Sequence, residues 1–186
     1  ARDVAGNQSP FSNQVSARTV SKGLTYKYYT GVWGNLPDFT NTLIQASGFV
    51  NNVDLSKKLQ ETQFGFLWEG YITIPVSGNY TFQLSSADGS KLYFNNQYGY
   101  ATPATIDNGG THDVVTKNSS TTYVTAGVYP IAITYFQATK PPVMNLLWKN
   151  PQTSNNFVKI PDSAFVESSP APAGLPSAPG SLAATA

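Results

Sequence analysis

The stretch from Phe64 to Ser86, FGFLWEGYITIPVSGNYTFQLSS, constrains the fold more than any other part of the chain. Large apolar side chains occupy alternate positions before Pro75 and again after Gly78. A period of two is typical of a strand that buries one face, and a proline followed by a glycine marks a turn. The stretch therefore predicts two consecutive strands joined by a short turn.

Further short strand patterns occur in KLYFN, TTYVTAGVYPIAITYF and VMNLLWKN, separated by Gly, Asn and Pro. Several such strands favour an all-β fold, either an antiparallel sandwich or a barrel. The segment 38–50 differs, because the spacing of Phe39, Leu43 and Phe49 predicts a helical turn. We expect at most a short helix near 38–50.

The composition excludes several classes of partner. Charged residues make up 11% of the chain, the formal net charge is +1, and no basic run occurs. Nucleic acid and anionic membrane surfaces attract clustered Lys and Arg, so neither is an expected partner. No apolar run approaches the roughly 20 residues of a membrane helix, so we expect no membrane insertion. The absence of cysteine excludes disulfides and thiolate-bound metals.

The two ends of the chain differ from its middle. Residues 1–22 are polar without a sustained period, and 167–186 are rich in Pro, Ala, Ser and Gly, as in linkers. We expect one domain over 23–166. The last stretch, PSAPGSLAATA, resembles the opening of a fibronectin type III domain. The chain is therefore expected to be a monomeric module of a longer protein, with a stalk or tail after it as the alternative.

A catalytic centre is not expected. His112 is the only histidine, and its neighbour Asp113 would point to the opposite face of a strand, so the two cannot orient each other. Glu69 and Asp88 are the acids set among the central strands. Neither has an identifiable second acid opposite it, as the usual glycosidase pair requires.

Four blocks, in order, resemble the PA14 domain family. They are GLTYKYYTGVWGNLPDF, FGFLWEGYITIPVSGNYTFQLSSADGSKLYFNNQ, GVYPIAITYFQ and NLLWKNP, and the resemblance covers roughly residues 23–161. The resemblance implies a two-sheet antiparallel β-sandwich, a module found in bacterial toxins, adhesins, glycosidases and fungal flocculins. For two packed sheets we predict a core that includes Phe66, Trp68, Phe82, Leu84, Ile133 and Trp148.

The resemblance also implies a calcium site. In carbohydrate-binding members, two consecutive aspartates hold a calcium ion that in turn binds sugar hydroxyls. Here these positions are Ala87 and Asp88, so one carboxylate is missing from a shell that needs six to eight oxygens. The remaining metal ligands are expected from the Ala87 carbonyl, Gln137 and a carbonyl near Thr139. The alternative is that Asp88 only makes a turn with the glycine that follows.

The expected sugar-binding residues are Asp88, Gln137, Trp33 and Lys140. Asn95 is expected to supply an oxygen close to Asp88. Lys140 would repel calcium unless its side chain points away. We therefore expect a non-catalytic, extracellular module that binds a glycan or polysaccharide, with calcium as a candidate cofactor. The alternative is a structural spacer or an accessory module that packs on a neighbouring domain. A hydrolase is the least supported interpretation.

Overall fold

A computed structural model describes residues 21–167 of the 186-residue chain, so the predictions for 1–20 and for 168–186 lie outside the described residues. The described part forms twelve strands and a short 3₁₀ helix, Asp162–Ala164. The strands are β1 Leu24–Thr30, β2 Ala46–Val50, β3 Phe64–Ile74, β4 Gly78–Ser86, β5 Ser90–Phe94, β6 Ile106–Asn108, β7 Val115–Asn118, β8 Thr122–Val124, β9 Gly127–Gln137, β10 Met144–Lys149, β11 Val158–Lys159 and β12 Phe165–Val166.

The strands pair into two antiparallel sheets, which confirms the predicted β-sandwich. The first sheet has the order β2-β1-β3-β9-β5-β6, and β12 pairs with β3. The second sheet has the order β11-β10-β4-β7, and β8 pairs with β4. Lys22 bridges to Val166 and the Glu167 N–H donates to the Ser21 carbonyl at 2.9 Å. The pairing thus extends one or two residues beyond the predicted bounds at each end.

The core lies between the sheets, because alternate side chains of each strand point to the same face. All six predicted core residues are buried. The rings of Phe66 and Trp68 stack with centroids 4.8 Å apart, and Tyr80 meets Trp148 edge to face at 5.7 Å. Each pair belongs to one sheet, and buried aromatic rings of this size contribute a large apolar area to the core between the sheets.

A second, smaller apolar cluster, which we call the outer cluster, covers the outer face of the first sheet. Its members are Tyr29, Phe39, Leu67, Tyr93 and Ala132. Phe39 comes from the β1–β2 loop, and its N–H donates to the Tyr98 hydroxyl of the β5–β6 loop at 3.0 Å. These two long loops therefore cover this face of the sheet.

The segment 38–50, for which we expect at most a short helix, forms no helix. The Asp38 carboxylate accepts the Thr40 N–H at 2.9 Å, which makes a local turn, and Ala46–Val50 then pairs with β1 as strand β2. Phe39 is buried in the outer cluster, whereas Leu43 and Phe49 are exposed, so the three share no face. Among residues 21–167, no helix is long and apolar enough to span a membrane.

Candidate functional site

Three connections between the two sheets lie at one end of the sandwich, which we call the crossover end. They are the β4–β5 turn at 87–89, the β6–β7 loop at 109–114 and the β9–β10 loop at 138–143. The register brings them together, because Ser86 pairs with Met144 and Val115, while Ser90 pairs with Asn108 and Tyr135.

Asp88 occupies a left-handed turn at the centre of the crossover end. Its φ is +57°, a conformation that aspartate tolerates better than most residues, and its backbone N–H donates to the His112 carbonyl at 2.9 Å. Gly89 follows because an added Cβ would overlap the ring of Phe136. The predicted turn therefore exists, and it joins the two sheets.

The Asp88 carboxylate is buried, with the residue only 1% exposed, and three donors satisfy it. Oδ2 accepts from Gln137 Nε2 at 2.7 Å and from the Ala138 N–H at 2.8 Å, and Oδ1 accepts from the His112 N–H at 3.2 Å. Burying a carboxylate is costly unless such donors compensate it. The three donors come from the other two crossover connections, or from the strand end beside them, so this one side chain ties all three connections together.

Gln137 is also fully buried, and its partners fix the orientation of its amide. The Tyr135 hydroxyl donates to Oε1, while Nε2 donates to Asp88 Oδ2 and to the Lys140 carbonyl, both at 2.7 Å. Burial, followed by the charge of Asp88, raises the pKa of Tyr135. The hydroxyl therefore stays protonated and able to donate at neutral pH.

The other predicted ligands have different surroundings. Ala87 is buried, with its N–H donating to the Val143 carbonyl at 3.1 Å, and Thr139 is exposed. Lys140 Nζ lies 2.8 Å from Asp113 Oδ1, and this ion pair raises the pKa of Lys140 and lowers that of Asp113. The Lys140 ammonium group is therefore directed at Asp113.

Two predicted contributors belong to other parts of the molecule. Trp33 is half-buried against the outer cluster, edge to face with Phe39 at a centroid distance of 6.2 Å. Asn95 follows β5 at the end away from Asp88, where its N–H donates to the Pro130 carbonyl at 2.9 Å. The expectation that Asn95 lies near Asp88 is wrong, because the whole of β5 separates the two residues.

In this arrangement the residues around Asp88 do not fit a calcium ion. The position facing both Asp88 Oδ2 and the Lys140 carbonyl is taken by an amide nitrogen, which repels a cation. Ala87 adds no carboxylate, and among residues 21–167 no three His, Cys, Asp or Glu side chains cluster as a metal site would require. Calcium binding stays a prediction that solution measurement must test.

An open cleft of about 810 Å³, which we call the Tyr100 cleft, lies beside the crossover end. It is lined by Asn35, Leu36, Lys91, Tyr100, Asp107, Gly109 and Lys117. The β6–β7 loop lies between this cleft and the Asp88 turn. On one side, Gly110 is close to Gly89, because a Cβ added to Gly89 would lie 3.2 Å from the Gly110 carbonyl oxygen. On the other side, Gly110 is close to Asn35 of the cleft, because a Cβ added to Gly110 would lie 3.8 Å from Asn35 Oδ1. Sequence reasoning missed this cleft.

The polar groups of the Tyr100 cleft are only partly committed to one another. Lys91 Nζ lies 2.8 Å from Asp107 Oδ2, and Lys117 Nζ donates to the Asp107 carbonyl at 2.8 Å. Burial lowers the pKa of Lys91, but the ion pair with Asp107 raises it, and the net shift is upward. Tyr100 is 65% exposed. The sequence feature that could have indicated this cleft is the pair of opposite charges, Lys91 and Asp107. The structure places these two residues directly opposite each other on β5 and β6.

The sequence profile of the PA14 domain family matches residues 10–159. The profile covers more than half of the chain, and the chain therefore belongs to the PA14 domain family. The match begins at residue 10, within the polar stretch 1–22 that the sequence pattern places outside the domain. No curated protein matches the chain in sequence.

Solved structures share the fold at low sequence identity. An anti-sigma factor domain-containing protein from Clostridium clariflavum is 21% identical with a TM-score of 0.63, over 86% of this chain and 52% of that one. The chain thus spans about half the length of that protein. A PA14 sugar-binding domain from an RTX adhesin is 14% identical with a TM-score of 0.62, over 79% and 99%. The A domain of epithelial adhesin 6 from Candida glabrata, solved with Galβ1-3GlcNAc, is 15% identical with a TM-score of 0.62, over 84% and 91%.

Proposed function

We propose that this domain is a non-catalytic carbohydrate-binding module that holds a glycan in the Tyr100 cleft. The observation that carries the proposal is an exposed tyrosine ring over a cleft lined by an amide, a carboxylate and two ammonium groups. Ligand sites combine an aromatic or apolar surface with a few polar groups that fix orientation. A sugar offers both complements, an apolar ring face and hydroxyls that donate and accept.

The polar side chains of the cleft match the hydroxyl groups of a sugar. Asp107 accepts, Lys91 and Lys117 donate, and Asn35 does both. Tyr100 presents a flat apolar face with a polar hydroxyl at its edge, and few rotatable bonds are lost when it is fixed by a ligand. The sugar-binding domain of the RTX adhesin and the glycan complex of epithelial adhesin 6 support the proposal at the level of the family.

The cleft favours binding over hydrolysis. Asp107 is the one carboxylate among its lining residues, and Lys91 is ion-paired with it. The usual glycosidase mechanism needs two carboxyl groups, one of them able to give a proton. A carboxylate whose pKa is lowered, as that of Asp107 is, is a poor proton donor at neutral pH.

An accessory role on a neighbouring domain is the second candidate, and exposed apolar side chains favour it. Leu43, Ile44 and Phe49 are exposed in the β1–β2 loop and on β2, which is an edge strand of the first sheet. An apolar group beside a strand that lies at the edge of the sheet formed by residues 21–167 suits packing against another domain. We propose that the domain is an extracellular, monomeric module, with 167–186 as a linker to a following domain.

A glycan array tests the proposed function, with the domain applied once in calcium and once in chelator. We expect selective binding to a defined set of glycans, followed by measurable affinity for the same glycan in solution. A domain that binds no glycan on the array, yet remains folded by circular dichroism, contradicts the proposal and favours the accessory role.

A further inference from the structure

The Gln137 amide nitrogen lies where two oxygens from different connections converge. Asp88 Oδ2 comes from the β4–β5 turn and the Lys140 carbonyl from the β9–β10 loop, and each is 2.7 Å from Nε2. Gln137 and Asp88 are both essentially inaccessible to solvent. A group that gathers oxygens from separate loops has the bridging role that a bound cation would have.

The two hydrogens of the Gln137 amide bridge these two oxygens, although the amide carries no net charge. Each N–H carries partial positive charge, and a hydrogen bond to a carboxylate is about twice as strong as a neutral one. The Ala138 and His112 N–H groups complete the satisfaction of the carboxylate. An ion at this position would have to displace Nε2 and break both of its bonds.

Turning the amide over is opposed by a third contact. The Tyr135 hydroxyl donates to Oε1, and the reversed amide would place Oε1 against Asp88 Oδ2 and the Lys140 carbonyl. Three oxygens would then face one another without a donor between them, which is unfavourable in a buried site. Of the two positions at which the resemblance implies aspartates, only Asp88 carries a negative charge that could attract a divalent cation, because the other is Ala87.

We propose that Gln137 replaces calcium in this domain and that the crossover end forms without a metal. The neutral amide joins the β4–β5 turn to the β9–β10 loop, and the arrangement of the loops is insensitive to calcium. The proposal does not rest on glycan binding, because its test uses calcium alone and no sugar.

The test compares the wild-type domain with Gln137→Glu by thermal unfolding in millimolar calcium and in chelator. The wild type is expected to unfold at the same temperature in both, and calorimetry is expected to detect no calcium binding. The substitution places a second carboxylate against Asp88, so we expect Tm to fall by roughly 5–10 °C in chelator. Calcium is expected to restore much of that loss, since the variant site has two carboxylates.

Gln83→Glu is the matched control, because the Gln83 amide donates to Asn118 Oδ1 at the surface of β4. Its Tm is expected to respond to neither calcium nor chelator. A wild-type domain that binds calcium at millimolar concentration overturns the proposal, whether or not the variants fold. A Gln137→Glu domain that is as stable in chelator as the wild type also overturns it.

Discussion

The hydrogen bonds that Asp88 accepts from His112, Gln137 and Ala138 form what we call the Asp88 network. This network and the Tyr100 cleft both adjoin the β6–β7 loop, but their carboxylates differ in burial and in hydrogen bonding. Asp88 is buried and accepts three hydrogen bonds from the protein, whereas the Asp107 side chain is 58% exposed and paired with one lysine. A satisfied buried carboxylate has little capacity left for a ligand. The carboxylate implied by the family resemblance is therefore committed to the protein's own hydrogen bonds, whereas the carboxylate of the neighbouring cleft is exposed to solvent.

The largest expected effect is on stability, from Asp88→Ala. The change leaves the Gln137 amide and two backbone N–H groups without their acceptor in a buried site, at about 1–3 kcal/mol for each unsatisfied group. We expect the free energy of unfolding, measured in urea, to fall by about 3 kcal/mol or more. Asp107→Ala is the control and is expected to cost under about 1 kcal/mol, because exposed ion pairs contribute little. Equal losses from both changes would break the comparison.

The next effect is on glycan affinity, from Tyr100→Ala. Removal of a stacking ring is expected to weaken binding about tenfold or more, measured by calorimetry with the glycan that the array selects. Tm is expected to stay within a few degrees of the wild type because the ring is exposed. Tyr123→Ala is the matched control, since Tyr123 on β8 is equally exposed at 65% and does not line the cleft. If both changes weaken binding equally, Tyr100 has no special role.

Asp107→Asn tests whether the Lys91–Asp107 ion pair of the cleft contributes to glycan binding. The amide still accepts one hydrogen bond, but it loses the charge that holds Lys91 in place. We expect glycan affinity to fall several-fold, with a change in the free energy of unfolding under about 1 kcal/mol. An unaltered affinity would mean that the ion pair lies outside the glycan footprint.

The smallest effect is the pH dependence of this ion pair. Burial raises the pKa of Asp107, but the hydrogen bonds from Lys91 and the Gly109 N–H lower it, and the net shift is downward. Its contribution to stability is therefore present above the unfolded pKa of about 3.9 and is lost as pH falls through the folded pKa. Glycan affinity is expected to be constant from about pH 7 to about pH 5 and to fall below about pH 4. Asp107→Asn is expected to flatten that fall.

The sheets were predictable from the sequence, whereas the chemistry of the crossover end was not. The period of two from Phe64 to Ser86 and the turn residues predict strands and a buried Trp68 without tertiary information. The proximity of Asp88 and Gln137 came from the resemblance. The direction of the Gln137 amide did not, because it depends on hydrogen bonds to Asp88, which is distant in sequence, and to the Lys140 carbonyl, which the conformation of the β9–β10 loop brings within reach. The same limit hid the Tyr100 cleft, whose residues come from five separate segments of the chain.

The central claim is that the glycan is held in the Tyr100 cleft while the Asp88 network stays closed and free of metal. The most direct measurement is a titration of the selected glycan in chelator, followed by backbone amide chemical shifts. We predict binding in chelator, with the largest shifts at Asn35, Tyr100 and Gly109 and small shifts at Asp88 and Gln137. Binding that appears only after calcium is added, with the largest shifts at Asp88 and Gln137, would contradict the account.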